Sequence, residues 1–225
     1  MLMKEQIDYL FEFCETKGVR YYDVQVELVD HMANGIEKEL AEHPGFSFQK
    51  ALEVVFASFG HSDFAPLVIE KRKATKIYSR RLWWSIFRQQ LTWPVTWAAL
   101  GVFLFIYWQL VIHDNDFVFR VSLFLGLIAL FAIVIGGRRL KGLQKRTGKH
   151  FLLTNLTGLN PMLAYGNMSI NYLISTRWSY PGHFSSLVYG TMLFAFFLMC
   201  LAHYRTVRRL EKQVEKDYPE IFTVA

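Results

Sequence analysis

Leu91 to Ile112, LTWPVTWAALGVFLFIYWQLVI, is a run of 22 residues without one charged side chain. A helix rises ~1.5 Å per residue, so about 20 apolar residues cover a ~30 Å hydrocarbon core. The run therefore reads as a first membrane crossing. The residues before it read as a small soluble helical domain and those after it as membrane hairpins. The expected fold class is all-α: a cytoplasmic helical domain (1–70), a basic juxtamembrane helix (71–90), four transmembrane helices (91–203) and a cytoplasmic amphipathic tail (204–225).

The charge distribution sharpens that division. Residues 1–70 carry 5 Lys/Arg against 13 Asp/Glu, whereas residues 71–225 carry 20 against 6. The basic residues stand in short clusters beside apolar runs, the pattern of cytoplasmic membrane flanks and not of a nucleic-acid groove. Cys14 and Cys200 fall in different halves and make neither a metal spacing nor a disulfide framework. The start, MLMKEQIDYL, lacks the apolar region of a signal peptide, so insertion is expected to rely on internal segments.

In the amino-terminal part, Met3, Ile7, Leu10, Phe11 and Cys14 recur at helical spacing and Gly18 ends the helix. A second helix is expected from about Tyr22 to His43. Tyr22, Val26, Val29, Ala33, Ile36 and Leu40 form its apolar side, with Glu27, His31, Asn34 and Lys38 opposite. Ser47 caps a third helix with Phe48, Ala51, Leu52, Val55 and Phe59 inward and Gly60 as terminator. Ser62 is placed to cap a fourth, which tolerates Pro66 near its first turn.

Glu27, Asp30, His31, Asn34 and Glu37 make an acidic, solvated face on the second helix. A Glu and a His four residues apart can share a divalent ion, but nothing in the sequence completes the ligand shell. The face is read as partner-binding; no metal and no cofactor are expected.

The run Glu27-Leu-Val-Asp30-His31, then Gly45-Phe-Ser47, Ala51 and Phe59-Gly60, resembles the HAAS-type, signalling-associated small helical domains of bacterial membrane proteins. The likeness covers about residues 5–70. It implies a membrane-tethered regulatory or interaction module in the bacterial inner membrane and carries over no catalytic residue.

Beyond the domain, a cluster from Lys71 to Arg81 precedes the first crossing, with Trp83 and Trp84 at headgroup depth. A second crossing is expected over about 117–137, followed by a basic loop containing Arg138, Arg139, Lys141, Lys145, Arg146 and Lys149. The last crossing spans about 184–203 and leads into Arg205, Arg208, Arg209 and Lys212. All basic clusters share one side only if 151–174 also crosses, which makes four crossings with both termini cytoplasmic. Anionic headgroups at the basic flanks, and a membrane protein or a second copy, are the expected partners; nucleic acid is not.

The third crossing carries Thr157, Asn160, Asn167 and Asn171 on one helical stripe, with Pro161 able to break the helix. No Asp, Glu, Lys or His lies among them, so interhelical hydrogen bonding is preferred over an ion path. Ser186 and Gly190 offer a small-residue face in the last crossing. The favoured function is a non-enzymatic membrane regulator or scaffold binding a partner through the acidic domain. A small transporter or channel subunit using the polar stripe is the alternative. His31, His113, His183 and His203 are scattered and support no enzyme site.

Overall fold

The computed structural model describes residues 1–60, 64–113, 115–155 and 183–223. Its regular elements are α1 (Lys4–Thr16), α2 (Tyr22–Glu42), α3 (Phe48–Ser58), α4 (Ala65–Thr92), α5 (Pro94–His113), α6 (Asn115–Thr147), α7 (Leu152–Asn155), α8 (His183–Asp217) and α9 (Glu220–Thr223). The fold is all-α, and among the described residues no strand forms. The chain divides into two compact units, Met1–Tyr78 with Gly148–Leu156, and Ser79–Thr147 with Thr157–Ala225.

In the first unit α1, α2 and α3 bury Leu10, Cys14, Met32, Ile36 and Ala51 completely. Burying one such Leu, Ile or Met side chain stabilises by about 1.5–3 kcal/mol. Gly18, at φ +86°, lets the chain leave α1 sharply, and the Val19 amide returns to the Cys14 carbonyl at 3.0 Å. Ser47 Oγ accepts the Lys50 amide at 3.2 Å and starts α3 as its position implies.

Helix α2 departs from its expected face. Val29 and Ile36 are buried, but so are Val24, Gln25, Leu28 and Met32, while Val26 and Ala33 are only half-buried. The helix packs against both α1 and α3, so it buries a broad arc of which the expected stripe is one edge. Gln25 is tolerated inside because its amide donates to the Val19 carbonyl at 2.7 Å.

Helix α4 begins at Ala65, with Pro66 in its first turn, and runs unbroken through the expected domain boundary. The Ser62 cap lies outside the described residues. Leu91 and Thr92, expected to open the first crossing, belong to α4 and not to α5, because the helix breaks at Trp93 and restarts at Pro94, bent by 70°. Proline lacks an amide and clashes with the carbonyl four residues back. Two side chains take the carbonyls thereby freed: Thr96 Oγ1 donates to Gln90 O at 2.6 Å and Trp97 Nε1 to Leu91 O at 2.7 Å.

In the second unit α5, α6 and α8 pack together. Phe103 meets Phe194 at 5.6 Å, and Gly190 lies so close to Tyr107 that an added Cβ would stand 3.0 Å from its ring. A Cβ on Gly136 would meet Val207 and His203 at 3.5 and 3.7 Å, and Arg139 pairs with Glu211 at 3.1 Å. With its amide turned so that the nitrogen faces the Leu198 carbonyl, the buried Gln90 donates to that carbonyl at 3.1 Å and accepts from the Ala202 amide at 3.3 Å. Val95, Trp97, Val102, Phe105, Ile106, Leu127, Ile128, Phe131 and Val134 are exposed along α5 and α6.

Among the described residues, Gly190–Asp217 is the one helix long and apolar enough to cross a membrane by itself; α4 with α5 meets that test only as a bent pair. The expected basic loop is helical for most of its length. Helix α6 continues to Thr147 and stops at Gly148, φ +64°. Its last-turn Lys145 and Arg146 suit the negative end of the helix dipole.

Candidate functional site

Two places in the first unit gather polar side chains. One is a cleft of about 550 Å³ between α2, the end of α3 and the start of α4. Val24, Leu28, Phe59, Leu67 and Ala74 line it with apolar surface; Glu27, Asp30, His31, Glu70 and Lys71 supply its polar groups. Helical spacing puts Glu27, Asp30 and His31 on one face of α2. Glu27 pairs with Lys71, and the His31 ring packs edge-on to Phe59 at 5.7 Å.

Of the five residues expected to bind a partner, Glu27, Asp30 and His31 therefore come together. Asn34 is exposed but does not line the cleft. Glu37 is turned to the chain's start, where it accepts the Leu2 amide at 2.7 Å and faces the Met1 ammonium at 3.5 Å. Among the described residues no three His, Cys, Asp or Glu side chains form a metal-holding group. Burial, reinforced by Glu15, pushes the Cys14 thiol up to about 12, so it stays protonated and unreactive.

The second place is the seat of Lys149–Asn155. The Tyr22 amide donates to the His150 carbonyl at 2.7 Å, and Phe151 meets the Tyr22 ring at 6.0 Å. The Asp23 carboxylate then accepts the amides of Leu152 at 2.9 Å and Leu153 at 3.1 Å. These are orphan donors at the start of α7, and the first turn of a helix favours an acidic partner. Phe151 and Leu152 are 2% and 1% exposed, and Leu152 belongs to the domain's core. Burial raises the Asp23 carboxyl above its ordinary value, with the amides of Leu152 and Leu153 pulling the other way.

Sequence reasoning missed Asp23 because its partners stand about 130 positions away. Residues 151–155, expected to begin the third crossing, instead belong with the helical domain: Leu152 joins its core, Phe151 is buried against Tyr22 and Asp23 caps the short helix. Of the basic stretch, Lys149 joins this seat with its ammonium 5.5 Å from the Tyr22 ring, while Arg139 is held by Glu211 in the second unit. Thr157, Asn160, Pro161, Asn167 and Asn171 lie outside the described residues.

No protein-family model matches this chain, and neither does any curated protein or any solved structure.

Proposed function

We propose that this chain is a multi-pass membrane protein with both termini in the cytoplasm, and that its acidic helical domain is a regulatory or scaffolding module and not an enzyme. The observation that carries the threading is the seating of Lys149–Asn155 in the amino-terminal domain. Two pieces of one core share a compartment, so the chain crosses an even number of times between Tyr78 and Gly148. Helices α5 and α6 supply two crossings. Their water-incompatible exposed faces suit lipid.

The pairing within the second unit extends the reasoning. Gly190 beside Tyr107 and Phe194 beside Phe103 make α8 antiparallel to α5. Val207 beside Gly136 and Glu211 beside Arg139 make it parallel to α6. Under this threading α8 starts on the periplasmic side and ends on the cytoplasmic one. Four crossings in all, the number expected from the basic clusters, is compatible with this arrangement. The basic ends of α6 and α8 support the cytoplasm as the shared side.

What supports binding over chemistry is the cleft. Its apolar floor and the carboxylates of Glu27, Asp30 and Glu70 suit a basic amphipathic surface on a partner. The resemblance to HAAS-type domains agrees with a tethered module in a bacterial inner membrane.

Reporters active on one side only test the threading. A carboxyl-terminal fusion should report the cytoplasm and one at Asp114 the periplasm; a periplasmic carboxyl terminus refutes it. For the module, full-length protein in mild detergent should retain a membrane partner that a Glu27→Lys, Asp30→Lys, Glu70→Lys variant loses. Equal recovery by both removes the cleft from the reading.

A further inference from the structure

The stretch from Arg72 to Thr92 holds six basic residues and no acidic one. Arg80, Arg81 and Arg88 are exposed on the part of α4 that belongs to the second unit, and among the described residues none has an ion-pair partner. Beside them stands a compact aromatic group. Trp83 stacks on Phe87 at 5.2 Å, and Trp84 meets Trp83 and Phe87 edge-on at 5.3 and 5.7 Å. Steps of three and four place Trp84 between Arg80, Arg81 and Arg88 on the outer face, while Ser79, Ile86 and Gln90 are buried on the inner one. Arginines beside an exposed indole match the headgroup layer, which offers phosphate to the cations and an apolar boundary to the ring.

Direction adds a second, independent constraint. Helix α4 meets α5 at 70°. With α5 along the bilayer normal, the remaining 90 − 70 leaves α4 about 20° from the membrane plane. The break is fixed at Pro94 by the bonds from Thr96 and Trp97, so α4 is not a loose extension of the crossing.

We propose that Ser79–Thr92 lies in the cytoplasmic surface of the bilayer and binds anionic phospholipid headgroups through Arg80, Arg81 and Arg88, with Trp84 seated among them. This rests on the reading of α5 as a crossing. Each arginine near such a surface attracts anionic lipid within about a Debye length, and the aromatic group sets the depth. The segment is then an in-plane anchor between the helical domain and the crossings.

Nitroxide labels on Ser85→Cys, Thr92→Cys and Val102→Cys, in full-length protein in bilayers, test it through depth-dependent collision with oxygen and nickel. Ser85 and Thr92 share a face seven residues apart, ~10 Å along the axis. In phosphatidylcholine with phosphatidylglycerol, both should sit at headgroup depth, differing by less than about 4 Å. Replacing the three arginines by Gln should shift the Ser85 label into water, and removing phosphatidylglycerol should do the same to the parent. A Thr92 label ~10 Å deeper than Ser85 makes α4 part of the crossing and overturns the proposal. So does a Ser85 label in water, or one indifferent to the arginines. A Val102 label at hydrocarbon depth keeps the crossing intact in each of those cases; Val102 in water removes the crossing and the anchor together.

Discussion

Asp23 and Leu152 are joined by a 2.9 Å bond from the Leu152 amide to the Asp23 carboxylate, between residues 129 positions apart. The second carboxylate oxygen takes the Leu153 amide at 3.1 Å, so one side chain satisfies two donors at the start of α7. This bond is what turns a chain segment beyond α6 into part of the amino-terminal core.

Replacing Asp23 by Ala should cost about 0.5–2 kcal/mol, the usual range for a lost amino-terminal cap. The loss should be local before it is global. Hydrogen exchange at Leu152 and Leu153 should speed up while Leu10 and Met32 keep their protection. Unchanged exchange at the two leucines would show that Phe151 and Leu152 seat the segment by packing alone.

Acidification gives a separate reading of the same carboxyl. Its folded pKa is raised above the ordinary 3.8, chiefly by burial. The folded state therefore binds this proton more tightly than the unfolded one. Its contribution is fully present below 3.8 and is lost as pH rises through the folded value. The stability difference between the parent and Asp23→Asn, followed by thermal unfolding in detergent, should move in the parent's favour as pH falls through that window. A shift in the other direction would mean that the two amides outweigh the desolvation.

Gly35 sets the spacing of α2 and α3, since a Cβ there would stand 3.0 and 3.2 Å from the Val55 methyls. Gly35→Val should destabilise by about 1–3 kcal/mol through overpacking. The partner variant Val55→Ala opens the same space, so the double variant should be less destabilised than the sum of the singles. Strict additivity in denaturant unfolding would place the cost elsewhere.

Gly190 and Tyr107 make the equivalent test in the second unit. An added Cβ would meet three atoms of the Tyr107 ring at 3.0, 3.1 and 3.3 Å. Gly190→Leu should lower the unfolding temperature in detergent by an amount reflecting about 1–3 kcal/mol of overpacking, and Tyr107→Ala should relieve part of it. No relief would mean that α5 and α8 separate before they strain.

How far the chain could be read in advance depended on the range of each interaction. Leu10, Cys14, Ala51, Leu52 and Val55 are buried where helical spacing put them, because that signal is local to one element. Val24, Leu28 and Met32 lie outside the expected face because a helix between two neighbours buries more than one stripe, and periodicity alone reports the strongest. Pro94 is visible in the sequence as a helix breaker, yet the uninterrupted apolar run hid the break. The side chains that stabilise it act across the bend. In the cleft, the spacing of Glu27, Asp30 and His31 was legible, but Glu70 and Lys71 come from another helix. Asp23 carried no local signal at all.

The core position of Leu152 sets an order of events during synthesis. The ribosome releases the amino-terminal helices long before the residue that completes them, and α5 and α6 must be made first. The nascent domain thus waits with an unfilled apolar seat beside Tyr22 while the next two helices are made. Completion of α5 and α6 then becomes a condition for the domain to finish folding, so a chain stalled before Leu152 would display that open seat to proteases.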